Sequence, residues 1–117
     1  MIVNGKLVLG YNNDLISLGN LKQVNGDLYL RSCLSLKDLG KLKKVDGYLN
    51  LSDCSSILSI GDLESVNGYL KLYYCKALKD LGNLKYVKYS ISLYNSGITK
   101  QYIKKEKPFL FEKCIWD

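Results

Sequence analysis

The chain has 117 residues, enough for one small domain, and its 24% of charged residues is ordinary for a globular protein. Seventeen basic and eleven acidic residues give a net charge of +6. All the basic residues except Arg31 are lysine, which disfavours the bidentate recognition of phosphate or guanine that arginine provides. There is no histidine, so the commonest general base and the commonest transition-metal ligand are both missing.

Valine recurs every 21 residues and opens five repeating units, the last of them partial: Val3, Val24, Val45, Val66 and Val87. The full unit can be written V-[ND]-G-x-L-x-L-x-x-C-x-x-L-x-x-L-G-x-L-x-x. A fixed period of this length is typical of repeat proteins, in which each unit stacks on the preceding one. We therefore expect the repeats to cover residues 1–99.

The x-L-x-L-x segment of each unit alternates with period two, which predicts a half-buried strand. In the second unit Leu28 and Leu30 are expected to point inward, while Asp27, Tyr29 and Arg31 point outward. Later apolar residues at steps of three predict a short 3₁₀-like or turn-rich return, and the Asn-Gly or Asp-Gly dipeptides predict tight corners. Because one unit cannot bury its own apolar side, neighbouring strands are expected to pair into a short parallel sheet.

The order of Leu42, Val45, Leu49, Leu51 and Cys54 fits the pattern L-x-x-L-x-L-x-x-N/C-x-L, so the chain resembles leucine-rich-repeat proteins. One departure is the spacing after the cysteine column, which is one residue longer than in the family except at Ser96-Gly97-Ile98. The resemblance implies an α/β-type solenoid, mostly strand and turn, forming an arc of about five coils with a parallel sheet on its concave face. The V-x-G corner is similar to that of the repeats in receptor L domains and in short bacterial or phage leucine-rich proteins.

The segment after the repeats has no period but carries many apolar residues: Tyr102, Ile103, Phe109, Leu110, Phe111, Ile115 and Trp116. We interpret residues 100–117 as a cap folded over the last coil, with Pro108 dividing a short helix from an extended stretch. The whole chain, 1–117, is then a single domain. An alternative is a lysine-rich amphipathic tail that binds a membrane or a partner.

Cys33, Cys54 and Cys75 share one column, and residues 21 apart on successive coils fit neither a disulfide nor a metal site. The resemblance implies a reduced, buried ladder that bonds to neighbouring backbone, and we expect Cys114 to be a free thiol in the cap. No nucleophile–base pair, carboxylate pair or phosphate-binding loop is visible. We therefore predict no enzymatic activity, no cofactor and no metal.

The outward strand positions of the predicted concave face hold seven of the ten tyrosines. Tyrosine has a rigid apolar ring with a polar tip, which suits a binding surface, although exposed strands favour tyrosine by β-propensity alone. The predicted partner-binding residues are Tyr29, Arg31, Tyr48, Tyr69, Lys71, Tyr73, Tyr74 and Tyr94.

The resemblance implies a protein-binding module on this face, and inhibition of a host defence protein by a phage or mobile element is one form of it. Nucleic-acid binding by lysine and tyrosine is an alternative, although Asp27 and Asp53 lie on the same face. A third hypothesis is a structural subunit that self-associates through the first coil, where no cap is recognised, at Val3, Leu7 and Leu9. No membrane span or signal peptide is recognised, so we expect a cytoplasmic protein.

Overall fold

The computed structural model describes residues 1–117 and consists mostly of short parallel strands in two sheets, with few helices. The elements in chain order are β1 (Ile2–Asn4), β2 (Leu7–Val8), β3 (Gln23–Asn25), β4 (Leu28–Tyr29), β5 (Lys44–Val45), β6 (Leu49–Asn50), β7 (Ser65–Val66), β8 (Leu70–Lys71), β9 (Tyr86–Val87), β10 (Ile91–Ser92), α1 (Lys100–Glu106), a 3₁₀ helix (Pro108–Lys113) and β11 (Cys114–Ile115). Neither helix is long or apolar enough to cross a bilayer.

The first sheet has the strand order β1-β3-β5-β7-β9, and the second sheet has the order β11-β10-β8-β6-β4-β2. Both sheets keep one register among the repeats, in which Val3 pairs with Val24 and Leu7 pairs with Leu28. The 21-residue period of the sequence is therefore the spacing between paired residues in neighbouring units.

The sequence predicted one strand in each unit, and the structure has two. The additional strand lies before the corner glycine, where residues such as Val24 pair with their equivalents in the neighbouring units. The corner breaks the extended segment, since Gly5 has φ +102° and Gly26 has φ +155°. A Cβ at Gly26 would lie 2.6 Å from the carbonyl carbon of Gly5, so only glycine lets the two corners stack.

The core is one continuous cluster of 28 buried hydrophobic residues that runs through the stack of units. Leu28 and Leu30 are fully buried, as the alternation predicted, and so are Leu36 and Leu42 from the return segment. Burial of one leucine side chain stabilises the fold by about 1.5–3 kcal/mol. The leucines of a unit are buried only when a neighbouring unit covers them, so the stabilisation depends on stacking.

The cysteine column forms the predicted ladder of thiols bonded to backbone. Each thiol donates to the carbonyl oxygen 24 residues earlier, Cys33 at 3.2 Å, Cys54 at 3.1 Å and Cys75 at 3.0 Å. All four cysteines are free, and burial is the main cause that raises the pKa of Cys54 and Cys75 to about 12. The column is therefore structural, and burial keeps the thiols of Cys54 and Cys75 protonated at neutral pH.

A second ladder runs along the predicted turn positions and alternates serine with aspartate. Ser17 Oγ donates to Asp38 Oδ1 over 2.5 Å, and Ser59 Oγ donates to Asp80 Oδ1 over 2.7 Å. The same Asp38 oxygen accepts from the backbone N–H of Gly40 over 2.8 Å, as expected of a residue that closes a turn. These bonds join the first unit to the second and the third unit to the fourth.

The position before the corner glycine forms a further set of links between units. Asn25 Nδ2 donates to Asn4 Oδ1 over 2.8 Å, and Asn67 Nδ2 donates to Asp46 Oδ1 over 3.2 Å. They join the same pairs of units as the serine–aspartate ladder. Hydrogen bonds between two side chains thus occur at alternate junctions along the stack, while the backbone register stays constant.

The C-terminal segment covers the fifth unit, as the sequence predicted. Thr99 caps α1 by accepting from Tyr102 N–H over 3.0 Å, and Ile103 and Leu110 complete the core. Pro108 begins the 3₁₀ helix and not the extended stretch that was predicted, because its fixed φ suits the first turn of a helix. The extended stretch begins only at β11, which pairs with β10.

Candidate functional site

The predicted partner-binding residues lie in the short strands of the second sheet or within three residues of their ends. Tyr48 and Tyr69 each lie between a corner glycine and an inward leucine, so the burial of Leu49 and Leu70 directs the two tyrosine side chains to the surface. Tyr48 is 41% exposed and Tyr69 is 40% exposed. Their positions follow from the 21-residue register, which places equivalent residues side by side.

Three tyrosines form an aromatic row across neighbouring units: Tyr48, Tyr69 and Tyr89. The ring centroids of Tyr48 and Tyr69 are 5.4 Å apart, and those of Tyr69 and Tyr89 are 5.0 Å apart. Both distances lie in the range in which aromatic rings attract each other. Lys88 Nζ lies 5.2 Å from the centroid of the Tyr89 ring and places a positive charge at the end of the row.

The sequence did not predict Tyr89 as a site residue. It stands one place before the tyrosine column, where the four preceding units have glycine, and the loss of that glycine was interpreted only as the end of the repeat. The residue type could have revealed it, because a tyrosine beside the position equivalent to Tyr48 and Tyr69 can place its ring next to theirs. Tyr89 is 48% exposed, so the row offers three accessible rings.

Next to the row lies a polar depression of about 250 Å³, lined by Arg31, Asn50, Ser52, Asp53, Lys71, Tyr73 and Tyr74. It contains the only ion pair of the protein, in which Arg31 Nε approaches Asp53 Oδ2 to 3.8 Å. That distance is too long for a hydrogen bond, and both side chains are substantially exposed, at 56% and 38%. The pair is therefore worth little to stability and leaves both groups open to a ligand.

Tyr74 and Tyr94 form an edge-to-face pair, with centroids 5.7 Å apart and ring planes at 87°. The sequence treated Tyr74 as an outward strand position, which is wrong. Its column lies in a left-handed turn just after the second sheet, with φ between 56° and 63° at Tyr11, Ser32, Asp53, Tyr74 and Asn95. The residue that immediately follows each turn position belongs to the cysteine column, and Cys33, Cys54 and Cys75 point inward and are fully buried.

Tyr29 is not part of the aromatic row. It is half-buried, and the nearest cation, Lys6 Nζ, is 6.0 Å from its ring centroid. Partial burial and, next, the carboxylate of Asp27 raise the pKa of Tyr29. Asp27 Oδ1 also accepts the backbone N–H of Tyr48 over 2.9 Å, so this carboxylate positions the first residue of the row.

Val3, Leu7 and Leu9 are half-buried and lie in or next to the edge strands β1 and β2. Their equivalents in the second unit, Val24, Leu28 and Leu30, are fully buried. The difference arises because the first unit has a neighbour on one side only. These residues lie far along the stack from the fourth and fifth units, which carry Tyr69 and Tyr89.

No group of three or more cysteine, aspartate or glutamate side chains is placed to hold a metal ion. Comparisons of the chain with protein-family models, with curated proteins and with solved structures give no match. The aromatic row and the adjacent polar depression are therefore the candidate functional features of this protein.

Proposed function

We propose that the chain is a leucine-rich-repeat solenoid that binds a partner protein on the outward face of its second sheet, without catalysis. The 21-residue register, the parallel sheets and the buried cysteine ladder support the assignment to this kind of repeat. The observation that carries the binding role is the aromatic row, since three exposed tyrosine rings lie in contact on a surface built from strands.

The physical chemistry of the row favours a protein as the ligand. Tyrosine and arginine are enriched at the energetic centres of protein interfaces, and a tyrosine ring buries a large area at a small cost in conformational entropy. The tilted rings of Tyr48, Tyr69 and Tyr89 pack against one another, which restricts their rotamers before binding and lowers the conformational entropy lost when a partner binds. The adjacent polar depression supplies directional contacts to an otherwise flat aromatic surface.

The resemblance to short bacterial and phage leucine-rich-repeat proteins extends the proposal to the role of the complex. In that role the chain is a cytoplasmic inhibitor that a phage or mobile element directs against a host defence protein. The extension has only fold-level analogy behind it. Binding by the aromatic row is the part that the geometry supports.

The test is quantitative affinity capture with tagged protein in the native host, compared between two matched variants. One variant removes the aromatic row by Tyr48→Ala, Tyr69→Ala and Tyr89→Ala. The control removes two other exposed tyrosines by Tyr11→Ala and Tyr86→Ala, which are 70% and 49% exposed and have no aromatic neighbour. We expect the row variant to lose at least about tenfold in recovery of the partner and the control to lose nothing. Equal recovery with both variants would contradict the proposal.

Nucleic-acid binding is the second candidate, and the net charge of +6 with a pI of about 9.1 favours it. Phosphate contacts by lysine are strongly salt-dependent, and exposed aromatic rings can stack on bases. Fluorescence anisotropy with a dT20 oligonucleotide at 50 and 200 mM salt measures this directly. Tight binding that weakens steeply with salt and is lost in the row variant would identify nucleic acid, and not a protein, as the ligand of the aromatic row.

Self-association is the third candidate and rests on the half-buried Val3, Leu7 and Leu9 at the edge strands. Edge strands with unpaired backbone groups can add a strand from another chain. Sedimentation velocity over a hundredfold concentration range, with and without Leu7→Lys, tests it. A concentration-dependent shift that the substitution abolishes would support the edge as an interface.

A further inference from the structure

The polar depression presents several hydrogen-bond donors and few acceptors. Arg31 makes no hydrogen bond with its guanidinium, since the nearest carboxylate oxygen is 3.8 Å away. Lys71 is exposed and has no acidic side chain within ion-pair distance. In the floor, Asn50 Oδ1 accepts the backbone N–H of Ser52 over 3.0 Å, which leaves the Asn50 NH₂ and the Ser52 hydroxyl available as donors. Such a set of donors fits an anionic acceptor.

The charge of the depression fits one carboxylate. Arg31 and Lys71 are cationic and Asp53 is anionic, so the depression has an excess of one positive charge. A single carboxylate on a ligand neutralises that excess, and the planar guanidinium can hold both of its oxygens. A nucleic-acid backbone instead carries a phosphate at every nucleotide and would bring further negative charge towards Asp53.

A second depression of about 390 Å³ adjoins the first, and the two share Asp53 and Tyr74 in their walls. Its lining includes Leu34, which is 46% exposed and is the one aliphatic side chain in the walls of the two depressions. An extended segment that crosses the left-handed turns can therefore place an acidic side chain in the first depression and an apolar side chain against Leu34 in the second.

We infer that the polar depression is a binding pocket for the carboxylate of an aspartate or glutamate side chain in an exposed, extended segment of the partner protein. Arg31 holds the carboxylate with two parallel hydrogen bonds, and Lys71 adds a second positive charge. The adjacent residue of the segment packs its apolar side chain on Leu34. This inference rests on the proposed function and specifies the chemistry of the partner.

The test uses two synthetic peptides, acetyl-Gly-Glu-Leu-Gly-amide and its glutamine counterpart, added to ¹⁵N-labelled full-length protein while amide spectra are recorded. We expect the glutamate peptide to shift the signals of Ser52, Asp53, Lys71 and Tyr74 in a saturable way. The glutamine peptide and the Arg31→Gln variant should each bind at least about tenfold more weakly, which is about 1.4 kcal/mol. Lys85→Gln, at an exposed lysine that lines neither depression, should leave the titration unchanged.

Equal shifts with both peptides, shifts spread over lysines outside the depression, or an unchanged titration of Arg31→Gln would each overturn the inference. A dT8 oligonucleotide that competes at the same signals and binds more tightly would also overturn it, in favour of a phosphate site.

Capture of the partner separates this inference from the proposed function. If Arg31→Gln with Lys71→Gln captures the partner normally while the row variant does not, protein binding is retained and the carboxylate pocket fails. If the peptide titration succeeds while the row variant still captures the partner, the pocket is supported and the aromatic row fails.

Discussion

Tyr89 occupies the position at which the preceding unit has Gly68, and its ring centroid lies 5.0 Å from that of Tyr69. The backbone N–H of Tyr89 still donates to the carbonyl of Gly68, over 3.3 Å, so the register survives the loss of the glycine. The aromatic row therefore continues into the last unit through a residue outside the tyrosine column.

Substitution of Tyr89 by alanine should lower the free energy of unfolding by about 0.5–1.5 kcal/mol, which is the worth of one aromatic pair. Urea denaturation followed by circular dichroism measures the change. Tyr86→Ala is the matched control, because Tyr86 is 49% exposed and has no aromatic neighbour, so its cost should stay within about 0.5 kcal/mol. Equal losses of unfolding free energy for the two substitutions would show that the contact between the Tyr69 and Tyr89 rings contributes nothing to stability.

Tyr102→Phe should destabilise the junction between the C-terminal segment and the fourth unit. The hydroxyl oxygen of Tyr102 accepts the backbone N–H of Leu81 over 2.8 Å, and phenylalanine leaves that donor without a partner. An unpaired buried donor costs about 1–3 kcal/mol. Denaturation experiments should show this loss, whereas Tyr86→Phe, at an exposed hydroxyl, should be neutral; a neutral Tyr102→Phe would mean that water replaces the bond.

Two glycines with the same backbone conformation should respond differently to alanine. Gly61 has φ +50° and Gly82 has φ +49°, so alanine at either position costs about 1–2 kcal/mol from the left-handed conformation. A Cβ at Gly61 meets nothing within 4 Å, whereas one at Gly82 would lie 3.0 Å from the backbone nitrogen of Gly61.

We therefore expect Gly82→Ala to lower the melting temperature further than Gly61→Ala, by an additional cost of about 1–3 kcal/mol for the displaced backbone. Differential scanning calorimetry of the two single variants measures the difference. Identical melting temperatures would show that the units separate enough to admit a methyl group.

The cysteine ladder predicts a loss of stability at high pH. Burial raises the pKa of Cys54 and Cys75 from 9.0 to about 12, so the folded state retains protons that the unfolded chain releases. Their contribution is complete below pH 9 and is lost as the pH rises towards 12. Since tyrosine and lysine also titrate there, the measurement is the difference in unfolding free energy between the natural chain and Cys54→Ala/Cys75→Ala.

That difference should narrow between pH 9 and pH 12, and a constant difference would contradict a buried neutral thiol. Thiol labelling at pH 8 gives an independent check. Cys114, whose pKa burial raises to about 11, is half-buried and should label slowly, while the three ladder cysteines label only after unfolding.

The period of the sequence predicted the inward residues and the register, because stacked units repeat the same environment at every position, and the resemblance to leucine-rich repeats supplied the cysteine ladder. The strand before the corner glycine in each unit was not predicted. One of these strands, β5, is only two residues long, which is too short for an alternating pattern to show in the sequence. The final strand β11 escaped for another reason: it lies outside the repeat, and its pairing with β10 depends on how the helices before it return the chain.

The candidate site was predicted in part. Tyr48 and Tyr69 were recognised from their shared column, but the polar depression depends on the left-handed turn at Asp53, where φ is 63°. Non-glycine residues rarely adopt this conformation, and a tyrosine at the same place, Tyr74, has a side chain that suggests a strand. Five equivalent positions take the same turn, so the fold overrides the local preference of each residue.

The alternation of serine and aspartate along the turn ladder has a consequence for how such a chain can lengthen. Duplication of two adjacent units preserves the order, so every aspartate still receives a hydroxyl bond like that from Ser17 to Asp38. Deletion of the third unit alone would place Asp38 beside Asp80, and two carboxylates would then share a site that now holds one. The hydrogen-bonding period of the turn ladder is therefore 42 residues, twice the period that the valines display.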